Sequence, residues 1–135
     1  MIQEERKARV ESVAAIAAQH AVATDRKGCF PRDAIAALRT QALLAVMVPQ
    51  ELGGEGAGLA EVVDICYRLG QACSATAMIY AMHQIMLACI IRHRRNGAWH
   101  ERLLRQLSAE QLLRGFQPLH NIAQFGQKPL YSLTL

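Results

Sequence analysis

The sequence predicts an all-α fold, a helical bundle followed by an irregular C-terminal tail. Hydrophobic residues make up 52% of the 135 positions, and aromatic residues only 5%. Ala, Leu and Ile carry much of the apolar content, and this composition favours close-packed helices over a sheet. Apolar residues also recur at three- and four-residue intervals along most of the chain. The length suits one domain with a core of its own.

Periodic apolar residues predict two N-terminal helices. The first covers about residues 3–23 and the second about residues 32–44. Between them, Gly28 suits the C-cap of the first helix and Pro31 suits the start of the second. The residues predicted to face the core are Val10, Val13, Ala14, Ala17, Ala21, Ile35, Leu38 and Leu43.

A glycine-rich stretch, VPQELGGEGAGLAE at residues 48–61, follows the second helix. A dinucleotide-binding loop that starts at Gly54 and Gly56 would need a third glycine where Leu59 stands, and an acidic residue about 20 positions later. A P-loop would need Gly-Lys followed by Ser or Thr, and the stretch has none. The stretch is therefore predicted to be a tight turn between helices, with glycines at positive φ, and not a phosphate site.

Two helices are predicted after the turn, over residues 59–70 and 72–91. The second is apolar on nearly all sides, which is typical of a central bundle helix or of a membrane span. The basic segment RHRRNG after it would suit a span. Against a span, the helix is rich in Ala, Met, Ser, Thr and Cys, and carries His83 and Gln84 at its centre. We therefore predict the central helix of a soluble bundle, with a small membrane protein as the alternative.

The last helical part of the chain is predicted in two short pieces. Asn96-Gly97 would end the central helix in the left-handed conformation. One short helix would cover residues 99–107, and another would begin with Ser108 as N-cap and Gln111 as its capping-box partner. From Gly115 onward the helical period is lost, which predicts an irregular tail over residues 114–135.

Charge and cysteine content argue against several functions. The formal net charge is +4, and no nucleic-acid-binding motif accompanies the arginine cluster near position 95, so we expect no nucleic-acid partner. Cys66 and Cys73 are predicted to be buried free thiols on one helix face. His93 and His100 flank a helix break, so no metal site is expected. Four cysteines without CxxC, and no export signal, predict a cytoplasmic protein.

Residues 28–86 resemble the N-terminal helical domain of acyl-CoA dehydrogenases and their flavin-dependent relatives. This segment reads GCFPRDAIAALRTQALLAVMVPQELGGEGAGLAEVVDICYRLGQACSATAMIYAMHQIM. The matching features are Phe30-Pro31, Val48-Pro49 with the glycines after it, Glu61, and the helix from Ser74-Ala75-Thr76-Ala77-Met78 to Met82-His83. The resemblance extends over roughly residues 8–113. We therefore assign residues 1–113 to this domain.

The resemblance implies an enzyme larger than this chain. Members of the family add a middle β-barrel and a C-terminal helical domain, hold FAD mainly between those two, and bind the acyl chain between helices and flavin. A carboxylate of the C-terminal domain removes the α-proton while hydride passes to the flavin. The Thr-Glu-Pro-like and Gly-Ser-Asp-like motifs of the middle domain do not follow Leu113. The chain alone is thus expected to be inactive, and residues 114–135 are hypothesised to be truncated or frameshifted sequence.

By the same resemblance, the central helix contributes to the acyl-CoA pocket. The matching positions are Ala77, Met78, Ala81, Met82 and Ile85, and ordinary core packing stays open as the alternative for each. Alanines would leave room for an acyl chain, and flexible methionines would adapt to different chains. No catalytic residue is assigned. His83 is predicted to be a hydrogen-bonded core histidine and not a general base.

Three functions remain open from the sequence. The first is the N-terminal domain of an FAD-dependent acyl-CoA dehydrogenase-like oxidoreductase. The second is a flavin-dependent monooxygenase of the same fold, which these residues do not separate from the first. The third is a non-catalytic helical interaction module, because a domain without its partner domains would expose an apolar face and self-associate.

Overall fold

The computed structural model describes residues 3–113, and every regular element in that range is a helix. The five α-helices are α1 (Glu4–Lys27), α2 (Arg32–Thr40), α3 (Leu59–Ala72), α4 (Ser74–His93) and α5 (Ala98–Glu110). Two short 3₁₀ turns, Gln50–Leu52 and Arg94–Asn96, lie before α3 and before α5. The predicted all-α bundle is confirmed. The tail predicted over residues 114–135 lies outside the described residues.

The helices enclose one main core. Helix α1 packs on α2, α3 and α4, while α5 packs on α4. The central members of the core include Val10, Leu38, Leu43, Ile65, Leu69 and Tyr80. A second cluster beside it joins the segment before α3 to α4 and α5 through Val48, Leu52, Leu87, Leu104 and Leu107.

The helix ends predicted from Gly28 and Pro31 are confirmed. Gly28 adopts the left-handed conformation with φ 57°, and its N–H bonds the carbonyl of Asp25. The carbonyl of Pro31 accepts the N–H of Ile35, which opens α2. Helix α1 ends four residues later than predicted, since Thr24 to Lys27 continue it.

The predicted end of the second helix is wrong. Helix α2 stops at Thr40, and Ala42 turns the chain with φ 54°. Leu43 is nevertheless buried as predicted, together with Leu44. Because these two residues leave the helix, their carbonyl oxygens are available to side chains of α4, as described below.

The predicted break within the last helical part is also wrong. Helix α5 runs without interruption past Ser108, whose hydroxyl donates to the carbonyl of Gly53 and does not cap a helix. Gln111 is instead the C-cap residue, with φ 47°, and its Nε2 donates to the Ser108 carbonyl at 2.9 Å. Gly97 is extended and not left-handed, because α4 already ends at His93.

Two further expectations need correction. Cys66 and Cys73 do not share a helix face, since Cys73 forms the junction between α3 and α4. Cys73 is buried but Cys66 is only half-buried, and both thiols are free. Helix α4 is not enclosed on all sides either, because one of its faces is open to solvent.

Candidate functional site

The inward face of α4 is polar, and it is bonded to the chain that follows α2. The hydroxyl of Tyr80 donates to the carbonyl of Leu43 at 3.1 Å. Nε2 of His83 lies 2.7 Å from the carbonyl oxygen of Leu44, and Nε2 of Gln84 donates to the same oxygen at 3.2 Å. All three side chains are buried. These bonds fix how α4 is rotated about its own axis.

The prediction for His83 is confirmed. Its side chain has no exposed surface, and its ring binds a backbone carbonyl in the core. Sequence reasoning did not identify Tyr80 and Gln84 as its companions. The signal was available, because polar groups three and four residues apart lie on one side of a helix.

The opposite face of α4 is apolar and exposed. Met78, Met82 and Ile85 expose 62%, 43% and 60% of their surface. They are separated by four and three residues, so they form one stripe along the helix. These are three of the five residues predicted to contact the acyl chain. The structure therefore brings them together on a surface that a ligand or another domain could reach.

The two alanines of the predicted set lie to the side of this stripe. Ala77 is half-buried and packs against the main core, facing α3. A Cβ placed on Gly70 would lie 3.7 Å from the Cβ of Ala77, so the two helices are in close contact there. Ala81 is also half-buried. Contact of any of the five residues with substrate stays a prediction.

The glycine-rich turn is held by its own backbone. The N–H of Gly56 bonds the carbonyl of Val48 at 2.9 Å, and the N–H of Ala57 bonds that of Val46 at 2.8 Å. A Cβ on Gly54 would overlap the Val48 carbonyl. The predicted helix-joining turn is confirmed. With these N–H groups engaged, the turn does not present the free donors that a phosphate cradle needs.

A cluster of charges ties the turn to α1. Nε of Arg6, which is buried, donates to the carboxylate of Glu55 at 2.8 Å, and Arg9 donates to the same carboxylate at 2.8 Å. Arg6 also pairs with Glu61. Glu61 in turn accepts the N–H of Gly58 at 3.1 Å, so it both caps α3 and neutralises Arg6.

The cleft beside this cluster does not suit an anionic ligand. It measures about 470 Å³, and Glu5, Arg6, Arg9 and Glu55 contribute its charged groups. Both arginines are already bonded to Glu55. A flavin pyrophosphate would therefore meet carboxylates that compete for the same guanidinium groups.

Burial favours the neutral form of two titratable side chains, Tyr80 and Cys66. Burial raises the pKa of the Tyr80 phenol and that of the Cys66 thiol. A protonated, half-buried thiol is a poor nucleophile. Within residues 3–113 there is no group of three or more His, Cys, Asp or Glu side chains that could hold a metal ion.

One helix in the described range is long and apolar enough to cross a membrane by length and composition. It covers Ser74–Asn96, and its most apolar window has a mean hydropathy of 1.5 with 28% of that window buried. The inward polar groups of α4 are bonded to this domain's own carbonyls. The absence of a membrane partner stays a prediction.

Comparison with known proteins identifies the domain. The sequence model described as "Acyl-CoA dehydrogenase, N-terminal domain" matches residues 3–111. The chain belongs to the acyl-CoA dehydrogenase family. Its described helices correspond to the N-terminal helical domain of that family, as the resemblance in sequence implied.

Two curated relatives of this acyl-CoA dehydrogenase domain differ in named activity. The chain is 32% identical over 82 residues to a probable FMNH₂-dependent monooxygenase, SfnC, of Pseudomonas putida. It is 37% identical over 62 residues to a 3-sulfinopropanoyl-CoA desulfinase of Paraburkholderia xenovorans. These matches cover 61% and 46% of the chain but only 21% and 16% of the relatives. No solved structure matched the chain.

Proposed function

We propose that the chain acts as the N-terminal helical domain of an FAD-dependent enzyme that dehydrogenates acyl-CoA thioesters between Cα and Cβ. The observation that carries this proposal is the exposed stripe of Met78, Met82 and Ile85 on α4. Apolar, flexible side chains on a rigid helix suit an acyl chain of variable length. The family match over residues 3–111 supports the same assignment.

In this proposal the described residues contact the acyl chain and exclude water from it, but they do not perform the redox step. FAD, when bound in the intact enzyme, accepts the hydride. The groups that a pyrophosphate would need are already engaged within the domain, at Arg6, Arg9 and the glycine-rich turn. The residues in the described range therefore do not fit FAD by themselves. Their contribution is the apolar wall formed by the stripe on α4.

A fusion protein tests the proposal. Residues 1–113 would replace the N-terminal domain of an acyl-CoA dehydrogenase of known activity, and dehydrogenation of acyl-CoA would be followed with a dye that accepts electrons. We expect activity, and we expect Met82→Glu to lower kcat/KM by more than about tenfold, because a charge would be buried against the acyl chain. Val22→Glu is the matched control on α1, since Val22 is 63% exposed.

Two results of that experiment would count against the proposal. A flavin-loaded fusion without dehydrogenase activity would show that the domain does not support the reaction. Equal effects of Met82→Glu and Val22→Glu would show that the stripe does not contact substrate. Addition of FAD to the purified 135-residue chain is a simpler companion measurement. We expect no bound flavin, and a stoichiometric yellow complex would contradict the proposed division of roles.

A flavin-dependent monooxygenase is the second candidate. It is favoured by the similarity to the Pseudomonas putida protein, which is named as a probable FMNH₂-dependent monooxygenase. A second fusion, to the remainder of that relative, would be supplied with reduced FMN and oxygen. Oxygen consumption coupled to substrate oxidation in this fusion, with no acyl-CoA dehydrogenation in the first, would favour the monooxygenase.

A further inference from the structure

Helix α5 ends in a backbone conformation that is uncommon for its residue. Gln111 has φ 47° and ψ 51°, in the left-handed region that residues with a Cβ seldom occupy. Glycine is the usual residue at a helix end of this kind, because it adopts positive φ at little cost in free energy. A residue with a side chain keeps such a conformation only where the surrounding contacts hold it there. The contacts of Gln111 therefore indicate what its side chain does.

Gln111 is bonded to three parts of the domain. Within α5, its Nε2 donates to the carbonyl of Ser108 at 2.9 Å, and its own N–H donates to the carbonyl of Leu107. At the end of α2, Nε of Arg39 donates to the Gln111 carbonyl at 3.3 Å. In the segment after α2, the N–H of Leu44 donates to Oε1 of Gln111 at 3.1 Å. Both ends of the Gln111 carboxamide are thus engaged, and one of them reaches a residue 67 positions earlier.

Leu44 joins Gln111 to helix α4. Its N–H is bonded to Gln111, while its carbonyl oxygen accepts Nε2 of Gln84 at 3.2 Å and lies 2.7 Å from Nε2 of His83. Leu44 is buried, and it lies in the segment between α2 and the 3₁₀ turn before α3. A displacement of either partner would break a bond to a buried backbone group, which costs free energy. The end of α5 and the inward face of α4 are therefore linked through one buried residue.

The link through Leu44 gives direction to the contact between α4 and α5. The two helices also pack together through Leu87, Leu104 and Leu107. Apolar packing is non-directional, whereas a hydrogen bond weakens steeply as its angle departs from linearity. The bonds of Leu44 therefore fix the rotation of α4 relative to the point at which the chain leaves α5.

In the proposed enzyme, the chain leads from the end of α5 to the flavin-binding domains, and the outward stripe of α4 contacts the acyl chain. We propose that Gln111 is a positioning residue: acting through Leu44, it keeps the α4 stripe in a fixed place relative to the domain that follows. Long acyl chains bury more methylene groups against the stripe than short ones, so they depend more on its placement. Gln111 contacts neither substrate nor flavin in this role. The inference rests on the proposed dehydrogenase function and adds a residue outside the stripe to it.

The fusion of residues 1–113 to the other domains of an acyl-CoA dehydrogenase tests the inference. Gln111→Leu keeps a similar volume but removes both hydrogen-bonding groups. We expect KM for dodecanoyl-CoA to rise about fivefold, while kcat and the KM for butyryl-CoA change by less than about twofold. A smaller amount of folded enzyme would instead lower kcat for both substrates and leave both KM values unchanged. Gln106→Leu is the matched control, since Gln106 is exposed on α5 and bonds Glu110 within the same helix.

Gln111→Gly separates the effect of the backbone from that of the side chain. Glycine favours the left-handed conformation, so this variant folds even if the leucine variant does not. A residue that acted only as a helix cap would be replaced by glycine without loss, whereas we expect glycine to raise KM for dodecanoyl-CoA as leucine does. In the unfused 135-residue chain, hydrogen exchange at the Leu44 amide should be at least about tenfold faster in both variants than in the parent.

Three results would overturn the inference. An active parent fusion in which both Gln111 variants leave KM for dodecanoyl-CoA unchanged, or affect both substrates alike, would refute the positioning role while the proposed function stands. Unchanged exchange at the Leu44 amide would show that this N–H does not depend on Gln111. A parent fusion that binds flavin but does not dehydrogenate acyl-CoA would refute the proposed function, and this inference with it.

Discussion

The two faces of α4 reverse the usual distribution of side chains. The inward face carries Tyr80, His83 and Gln84, which are polar and buried, while the outward face carries Met78 and Ile85, which are apolar and about 60% exposed. Hydrogen bonds to carbonyls of residues 43 and 44 offset the cost of burying the polar groups. No comparable interaction within the described residues covers the outward face. The inward face thus holds the domain together, and the outward face is available for a partner.

Replacement of the buried histidine should produce the largest effect. His83→Ala removes a fully buried ring that lies 2.7 Å from the Leu44 carbonyl oxygen, so it leaves a cavity and only the Gln84 bond to that oxygen. We expect the free energy of unfolding to fall by about 2–4 kcal/mol, measured by urea denaturation. A loss below about 1 kcal/mol would mean that the inward bonds do not stabilise the fold.

Tyr80→Phe should lower the free energy of unfolding by about 1 kcal/mol at neutral pH, because one hydrogen bond to Leu43 is lost and no cavity is created. It should also change how the free energy of unfolding depends on pH. Burial raises the pKa of Tyr80 above its ordinary value of 10.0, so the unfolded chain releases this proton before the folded chain does. The contribution of Tyr80 to the free energy of unfolding is therefore fully present below pH 10, and it is lost as the pH rises above that value.

Urea denaturation at several pH values between 9 and 11 would measure that contribution. The release of one proton changes the free energy of unfolding by at most about 1.4 kcal/mol per pH unit. The loss of stability with rising pH should be smaller in Tyr80→Phe than in the parent chain. Tyr67→Phe, at a tyrosine that is 64% exposed, is the matched control and should keep the parent slope. Identical slopes in all three proteins would contradict the role given to Tyr80.

Thr76→Val should raise the free energy of unfolding, in contrast to the two substitutions above. The Thr76 hydroxyl is buried on the inward face and bonds to no other described group. Valine has nearly the same shape but no hydroxyl, so the substitution removes an uncompensated desolvation cost. We expect a gain of up to about 1 kcal/mol in thermal or urea unfolding. Destabilisation by a similar amount would indicate that this hydroxyl has a partner.

The smallest effect is expected on the outward face. Ile85→Ala removes apolar surface that is already 60% exposed in the monomer. The free energy of unfolding should change by no more than about 0.5 kcal/mol when measured at dilutions where the chain is monomeric. A loss of unfolding free energy as large as that of His83→Ala would contradict the claim that only the inward face of α4 stabilises the monomer.

Local signals in the sequence predicted much of the bundle. Gly28 and Pro31 mark the boundary between α1 and α2 because their backbone preferences hold in any surroundings. The turn before α3 was predictable for the same reason, since Gly53 and Gly56 adopt φ of 92° and 66°. The residues of the family match were also sufficient to identify the domain.

The errors occur where a distant contact overrides a local preference. Ser108 and Gln111 have the spacing of a capping box, but the Ser108 hydroxyl binds the carbonyl of Gly53, 55 positions away. The second helix was predicted through residue 44, yet Leu43 and Leu44 leave it and present their carbonyls to α4.

The sequence by itself determined the helical class, the family and the glycine-rich turn, because composition, periodicity and backbone preference act over a few residues. The burial of His83 was also predicted, but only the tertiary structure showed which groups it meets and that Tyr80 and Gln84 are buried beside it. Hydropathy alone would place Met78 and Ile85 inside and His83 and Gln84 outside. The reverse occurs because the carbonyls of residues 43 and 44 lie in the core outside any helix and are bonded there by side chains of α4. Leaving a buried carbonyl without a donor costs more free energy than leaving a methionine exposed to water.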